Sequence, residues 1–173
     1  MPKTILWIPV GLCLITIAIF AFAQGAVKAG LWSVTTTQTW QQSPLPAGMQ
    51  LPPGANSPFG GGPRTYQSCI TPQMIEKYGG PVPQSRGDCK ISNIAMKGNS
   101  VTADWICTGQ MSGKGTYEAS WTDDSHSRSK VHFTGTMQMG PNSRPIEWTS
   151  ESVSVYKGPD CGSVQPMPMP SDK

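Results

Sequence analysis

The chain has 173 residues and a formal net charge of +3, and only 13% of its residues are charged. This weak charge argues against a nucleic-acid groove, which needs clustered Lys and Arg on one face. With 19 glycines and 17 prolines, the composition favours a β protein over a helical one, and the length is that of one domain.

The N-terminal segment has the pattern of an export signal. Lys3 precedes an uncharged apolar run over residues 5–23, and Ala21-Phe22-Ala23 ends it with the small-x-small pattern that signal peptidase recognises. We expect a signal peptide over residues 1–23 and no membrane span after its cleavage. Two alternatives stay open, namely cleavage after Ala29 and retention of the run as a membrane anchor, because its length is sufficient to cross a bilayer.

The next two segments predict a strand and a loop. Residues 30–40 are rich in β-branched and aromatic side chains, and Trp32, Val34 and Trp40 share one face of this predicted strand. Residues 41–64 hold six prolines and five glycines without any periodicity. We expect them to form a mobile loop, because they bury too little apolar surface to offset their ordering entropy.

A short helix is predicted from Thr71 to Gly79. Thr71 can cap it, Pro72 fits the first helical position, and Gly79 can adopt the left-handed conformation that ends a helix. Packing must hold so short a helix. Its apolar contacts are Met74, Ile75 and Tyr78.

The rest of the chain predicts an antiparallel meander. Residues 89–96 and 101–109 flank Lys97-Gly98-Asn99-Ser100, which has the composition of a hairpin turn. Three further strands are predicted over residues 115–121, 130–139 and 145–157. The alternation of apolar and polar residues predicts a sheet with one buried and one solvated face.

The last predicted strand contains a change of phase. Ile146 and Trp148 lie on even positions, whereas Val153 and Val155 lie on odd positions. A regular strand cannot bury both sets, so we predict a β-bulge between residues 149 and 152.

These elements predict one antiparallel β domain over residues 24–161. We expect about seven strands in a strongly curled sheet or a barrel-like meander, with one short helix against it. Residues 162–173 are expected to form a disordered tail.

Four of the five cysteines lie beyond the apolar run, and we expect them to form two disulfides. Their intervals of 20, 18 and 54 residues lack the close pair of a structural zinc site. Folding the chain about residues 97–100 opposes positions that sum to about 197, and Cys89 and Cys107 sum to 196, an offset that a bulged turn supplies. Cys69 and Cys161 then pair by elimination. The rival pairs, Cys69–Cys89 and Cys107–Cys161, ignore the hairpin.

The order of several short motifs resembles a known family. The motifs are Gly30-Leu31-Trp32 with Val34-Thr35, Cys69-Ile70-Thr71-Pro72, Cys89-Lys90-Ile91, Gly98-Asn99 with Val101-Thr102, Trp105 with Cys107 and Gly109, Gly135-Thr136-Met137-Gln138-Met139, and finally Cys161. This order resembles the bacterial exported proteins grouped as domain of unknown function 3617. The resemblance covers roughly residues 30–161. It implies a small exported domain without an established activity, and it supplies no catalytic residues.

No catalytic constellation is visible, so we expect the protein not to be an enzyme. The two histidines are dispersed, with His126 in a predicted turn and His132 on the solvent face of a strand. The glycines of residues 60–62 are followed by Pro63-Arg64 rather than by the helix start of a phosphate loop. We also expect no cofactor.

Six residues of the predicted strands are candidates for lining a ligand site: Trp32, Trp105, Trp121, Phe133, Met137 and Trp148. We expect a periplasmic or secreted module that binds a small apolar ligand on the concave face. The competing interpretation is that these side chains only fill the core. Two other functions stay open, an envelope assembly protein using the loop and edge strands and a copper-handling protein using Met137, Met139 and a histidine.

Overall fold

The computed structural model describes residues 27–45, 62–85 and 87–169. The predicted signal peptide and most of the predicted loop lie outside these residues, as do residues 170–173.

Seven strands form one antiparallel sheet. The elements are β1 (Gly30–Gln42), β2 (Arg64–Ile70), α1 (Pro72–Tyr78), β3 (Cys89–Lys97), β4 (Ser100–Thr108), β5 (Met111–Trp121), β6 (His126–Met139) and β7 (Asn142–Gly158). Their order across the sheet is β2-β1-β7-β6-β5-β4-β3, so β2 and β3 are the two edges and the sheet does not close into a barrel. The prediction of a mainly β fold with one short helix is confirmed. The sheet is open and not a closed barrel.

The strand β2 was not predicted from the sequence. Its first four residues are exposed, so the segment carries no alternating pattern. It is held by continuous pairing with β1, from Gly30 opposite Ile70 to Thr36 opposite Arg64. Backbone pairing, which leaves no hydrophobic signal in the sequence, therefore defines this edge.

The helix α1 has the predicted caps. The Thr71 hydroxyl accepts a hydrogen bond from the Met74 N–H at 3.2 Å. Gly79 ends the helix at φ 64°, and its N–H donates to the Ile75 carbonyl. A side chain at this φ would be strained, which is why glycine suits the position.

The connection that contains α1 carries the chain from one edge of the sheet to the other, because β2 and β3 lie at opposite edges. Apolar side chains of this connection are buried against side chains of β1, β4 and β5. We call this set the helix cluster: Val27, Trp32, Ile70, Met74, Tyr78, Val82, Val101, Ala103, Tyr117, Ala119 and Trp121. The connection therefore covers part of the inner face of the sheet.

A second set of apolar residues lies on the same face, toward the opposite ends of the strands. Its buried members are Cys89, Cys107, Phe133, Ile146 and Trp148, and the partly buried residues Trp40, Trp105, Met111, Val131 and Met137 pack against them. We call this set the aromatic cluster. The buried side chains of α1 do not belong to it.

The β-bulge predicted between residues 149 and 152 is wrong. The pairing of β7 with β1 and with β6 continues without a shift through this stretch. Val153 is instead left on the outer face, where it is 50% exposed. The inner position beside it belongs to Ser152, whose hydroxyl lies 2.7 Å from that of Thr36. The prediction assumed that every valine must be buried, which folding does not require.

The two disulfides have the predicted pairing. Cys89 is bonded to Cys107, and Cys69 is bonded to Cys161. The residue that offsets the β3–β4 register lies inside β3, between Ser92 and Ala95, and not in the turn.

Residues 162–169 also differ from the disordered tail that was predicted for residues 162–173. Pro166 forms a parallel bridge with Cys69, and the Met167 N–H donates to the Cys69 carbonyl at 3.0 Å. The Gln84 side chain donates to the Pro168 carbonyl at 2.9 Å. The Cys69–Cys161 disulfide brings the segment to the free edge of β2, where it satisfies backbone groups that composition alone does not reveal.

Candidate functional site

The six predicted ligand-lining residues fall into two separate groups. Trp32 and Trp121 are buried in the helix cluster. The other four, Trp105, Phe133, Met137 and Trp148, meet in the aromatic cluster. The structure therefore brings together four of the six residues.

The helix cluster is filled by its own side chains. The chain at the end of α1 approaches Trp121 so closely that a Cβ at Gly80 would lie 2.9 Å from its ring. The Trp32 indole N–H donates to the Lys28 carbonyl at 2.9 Å. For Trp32 and Trp121, the interpretation as core residues is therefore the one that fits.

The aromatic cluster is built around Trp148, which contacts three other rings. Phe133 stacks on it with ring centroids 5.6 Å apart and an interplanar angle of 17°. Trp105 meets it edge-on at 6.0 Å and 86°, and Trp40 lies tilted at 6.5 Å. Offset-stacked and edge-to-face contacts of this kind add to the stability that burial gives.

The exposure of the aromatic cluster changes from its base to its border. Phe133, Ile146 and Trp148 are buried, whereas Trp40 and Trp105 are only half-buried. The half-buried rings are those that reach the border. The base is therefore buried, and apolar ring surface remains accessible above it.

Glycines allow the sheet to approach the Phe133 ring. A Cβ at Gly115 would lie 3.1 Å from the ring, and a Cβ at Gly113 or Gly135 would lie 3.0 Å from it. These distances are shorter than ordinary van der Waals contacts. The glycines of β5 and β6 therefore position the base of the cluster, and Gly135 belongs to one of the sequence motifs.

The indole N–H of Trp105 is a buried donor at this border. Its nitrogen is shielded from solvent and finds no acceptor among the described residues, and the same holds for Trp121 inside the helix cluster. A buried donor without a partner costs about 1–3 kcal/mol. At Trp105, a bound molecule could supply an acceptor only after the half-buried ring turns so that its nitrogen is uncovered.

The outer face of the sheet carries a groove of about 440 Å³. Its polar lining includes Asp104, Thr116 and His132, which the strand register places in one row across β4, β5 and β6. His132 Nε2 lies 3.0 Å from Glu147 Oε1, and Asn93 donates to Asp104. Sequence reasoning missed this groove because its residues come from four strands and share no local motif.

The structure does not bring a histidine to the predicted copper-binding methionines. His132 lies on the outer face, whereas Met137 lies on the inner face in the aromatic cluster. His126, at the other end of β6, lies 2.9 Å from the Asp123 carboxylate. Among the described residues, no group of three or more His, Cys, Asp or Glu side chains is arranged to hold a metal ion.

Among the described residues, Asp123, Asp124 and Tyr117 have shifted pKa values, and each shift has a local structural cause. The Ser125 N–H, and then His126, lower the pKa of the exposed Asp123 carboxyl. The Ser125 hydroxyl and Lys28 lower the pKa of Asp124. Burial raises the pKa of Tyr117, whose hydroxyl donates to the Pro81 carbonyl at 3.1 Å.

The described part of the chain contains no helix with the length and apolar character needed to cross a membrane.

Comparison with protein families gives one result that agrees with the motifs. Residues 27–161 match the family described as "Protein of unknown function (DUF3617)". Comparison with curated proteins and with solved structures gave no match. The matched region starts at the buried Val27, ends at Cys161, and contains all seven strands and both disulfides. Because the match spans well over half of its residues, the chain belongs to this family of proteins of unknown function.

Proposed function

We propose that the chain is an exported, non-catalytic β module that binds a small apolar molecule on the aromatic cluster. The observation that carries the proposal is the change in exposure, from the buried Phe133 and Trp148 to the half-buried Trp40 and Trp105. A buried aromatic base with accessible rings at its border is typical of ligand sites, which are mostly apolar and largely formed before binding.

The Trp105 indole supports a more specific ligand class. A molecule that rests on these rings and carries a carbonyl or ether oxygen would accept a hydrogen bond from the otherwise unpaired Trp105 N–H, once the half-buried ring turns and uncovers its nitrogen. The proposed ligand is therefore an apolar compound with one hydrogen-bond acceptor, not a pure hydrocarbon.

Export is supported by the two disulfides. Both are closed within the domain, and disulfides persist in oxidising compartments such as the periplasm. The apolar N-terminal run adds to this argument from the sequence alone. We infer a periplasmic or secreted protein that meets its ligand outside the cytoplasm.

Two probes of matched shape test both the site and the ligand class. Octylbenzene and octanophenone differ by one carbonyl group, and their binding to the purified protein can be followed by quenching of tryptophan fluorescence. Trp105→Ala should weaken both probes about tenfold, which corresponds to about 1.4 kcal/mol of lost ring contact. Trp105→Phe keeps an aromatic ring but makes it smaller and removes the N–H, so it should weaken octylbenzene slightly and octanophenone by about fivefold more.

Tyr66→Ala serves as the control, because Tyr66 is an aromatic residue that is 54% exposed and lies outside the aromatic cluster. It should leave both probes within twofold of wild type. Equal affinities for wild type and Trp105→Ala would overturn the proposed site. If Trp105→Phe lowers the affinity for both probes by the same factor, the proposed ligand class is overturned but the proposed site is not.

An assembly role is the second candidate, and the outer edge of β2 supports it, since among the described residues only the segment at Pro166 pairs with it. The Cys69 carbonyl points away from β1, since it accepts from Met167. Alternation along a strand directs the backbone groups of Thr65 and Gln67 the same way. An added strand could pair there. Concentration-dependent association in analytical ultracentrifugation, abolished by Gln67→Pro, would favour this role. A monomer at all concentrations would count against self-association.

A further inference from the structure

Two methionines face each other at the open end of the β5–β6 hairpin, away from its turn. Met111 opposes Met137 in the strand register. The Gln138 N–H donates to the Gln110 carbonyl at 2.8 Å, so residues 110 and 138 form the hydrogen-bonded pair. Met111 and Met137 are consequently a non-hydrogen-bonded pair, in which opposed side chains lie closest, with Cβ atoms about 4.5–5.5 Å apart.

A third methionine lies within reach of this pair. Met139 is two residues beyond Met137 on β6, so it occupies the same face, and it is 37% exposed. It is the diagonal neighbour of Met111, at a separation of about 7–8 Å that long side chains can bridge. Met111 and Met137 are half-buried, so all three side chains retain contact with solvent.

We propose that Met111, Met137 and Met139 form a site for a soft monovalent cation, Cu(I). Thioether sulfur is a soft ligand that prefers Cu(I) to the hard divalent cations. Each methionine side chain is unbranched and has three rotatable bonds, so three sulfur atoms can converge on one ion. This set replaces the methionine–histidine set predicted from the sequence, because it contains Met111 and no histidine.

The site differs in chemistry from the proposed apolar ligand site beside it. Packing on the aromatic cluster requires only apolar surface, which leucine supplies as well as methionine does. Cation binding requires the sulfur atom. A change of methionine to leucine therefore separates the two functions.

Arg144 adds a charge effect that can be measured. Arg144 lies on β7 directly opposite Met137 of β6, so its side chain is on the same face of the sheet, and it is exposed. Its guanidinium disfavours a second cation at short range, and salt screens this repulsion. Arg144→Gln should therefore raise the Cu(I) affinity, and the gain should shrink at high ionic strength.

The direct test is competition for Cu(I) against bathocuproine disulfonate, with ascorbate as the reductant and both disulfides intact. Wild type should bind one Cu(I) per chain. The variant Met111→Leu/Met137→Leu should lose about a hundredfold in affinity, and Met139→Leu should lose less. Met96→Leu is the matched control, since Met96 is exposed on β3, and it should bind as wild type does.

A second readout needs no variant. In wild type carrying methionines labelled at the ¹³C methyl group, one equivalent of Ag(I), a redox-inert soft cation, should shift three methyl signals. Absence of Cu(I) binding by wild type, or equal affinity in the triple leucine variant, would overturn the proposal. Shifts at other methionines alone would also overturn it.

Discussion

Cys89 and Cys107 face each other across β3 and β4 with their Cα atoms 3.9 Å apart. The adjacent Thr108 N–H donates to the Asp88 carbonyl at 3.1 Å, so the two cysteines occupy a non-hydrogen-bonded pair. Opposed side chains lie closest at such a pair, which suits a disulfide across a hairpin.

The two disulfides should contribute unequally to stability. Cys69–Cys161 spans 92 residues and Cys89–Cys107 spans 18. In the chain-entropy model these loops correspond to about 4.6 and about 3.2 kcal/mol. Urea unfolding should therefore find the double alanine variant of Cys69 and Cys161 less stable than that of Cys89 and Cys107. The reverse order would contradict the entropic explanation.

Signal-peptide cleavage should leave Val27 in the mature chain. Val27 is 3% exposed in the helix cluster, and Lys28 Nζ lies 2.9 Å from the Asp124 carboxylate. Cleavage after Ala29 would remove both contacts, and burial of the valine alone contributes about 1.5–3 kcal/mol. N-terminal sequencing should find Gln24 as the first residue. A start at Gly30 would contradict this account of the helix cluster.

The parts of the fold that could be predicted from the sequence have local signals. The caps of α1 and the alternation around Tyr117 and Phe133 depend on residues close together in the chain, and both predictions are confirmed. By contrast, β2 and the segment that ends in Met167 are held by pairing between distant residues. Such pairing leaves no periodicity in either segment.

The candidate site could be predicted only in part, for a similar reason. Alternation identifies which side chains face inward, but not which part of that face another segment covers. Trp121 and Trp148 have equivalent patterns in the sequence. The crossing of α1 buries Trp121 in the helix cluster and leaves the group around Trp148 at the other end of the sheet.

Gly115 should be required for the base of the aromatic cluster. In Gly115→Ala the new methyl group would lie 3.1 Å from the Phe133 ring and 2.7 Å from the His132 carbonyl oxygen. We expect a loss of about 1–3 kcal/mol in the free energy of unfolding. Gly158→Ala is the control, because its methyl group would meet no atom within 4 Å. Thermal unfolding of both variants checks the prediction, and equal stability of the two would disprove it.

Tyr117 should make the protein less stable at alkaline pH. Burial raises its pKa, so above pH 10 the unfolded state loses this proton while the folded state keeps it. The free energy of unfolding then falls as pH rises, by up to about 1.4 kcal/mol per pH unit.

Urea unfolding between pH 9 and pH 11 measures this slope. Tyr117→Phe should be less stable near pH 8, because it loses the hydrogen bond to Pro81, but its slope should be flatter. Tyr66→Phe keeps Tyr117 and should retain the wild-type slope. An unchanged slope in Tyr117→Phe would rule out this residue as the cause.

The most direct test of ligand binding is native mass spectrometry of the protein purified from its own envelope without organic solvent. We predict a second species that carries one small apolar molecule per chain, and the same preparation of Trp105→Ala should lack most of it. A wild-type spectrum that contains only the mass of the bare chain would contradict the proposed function.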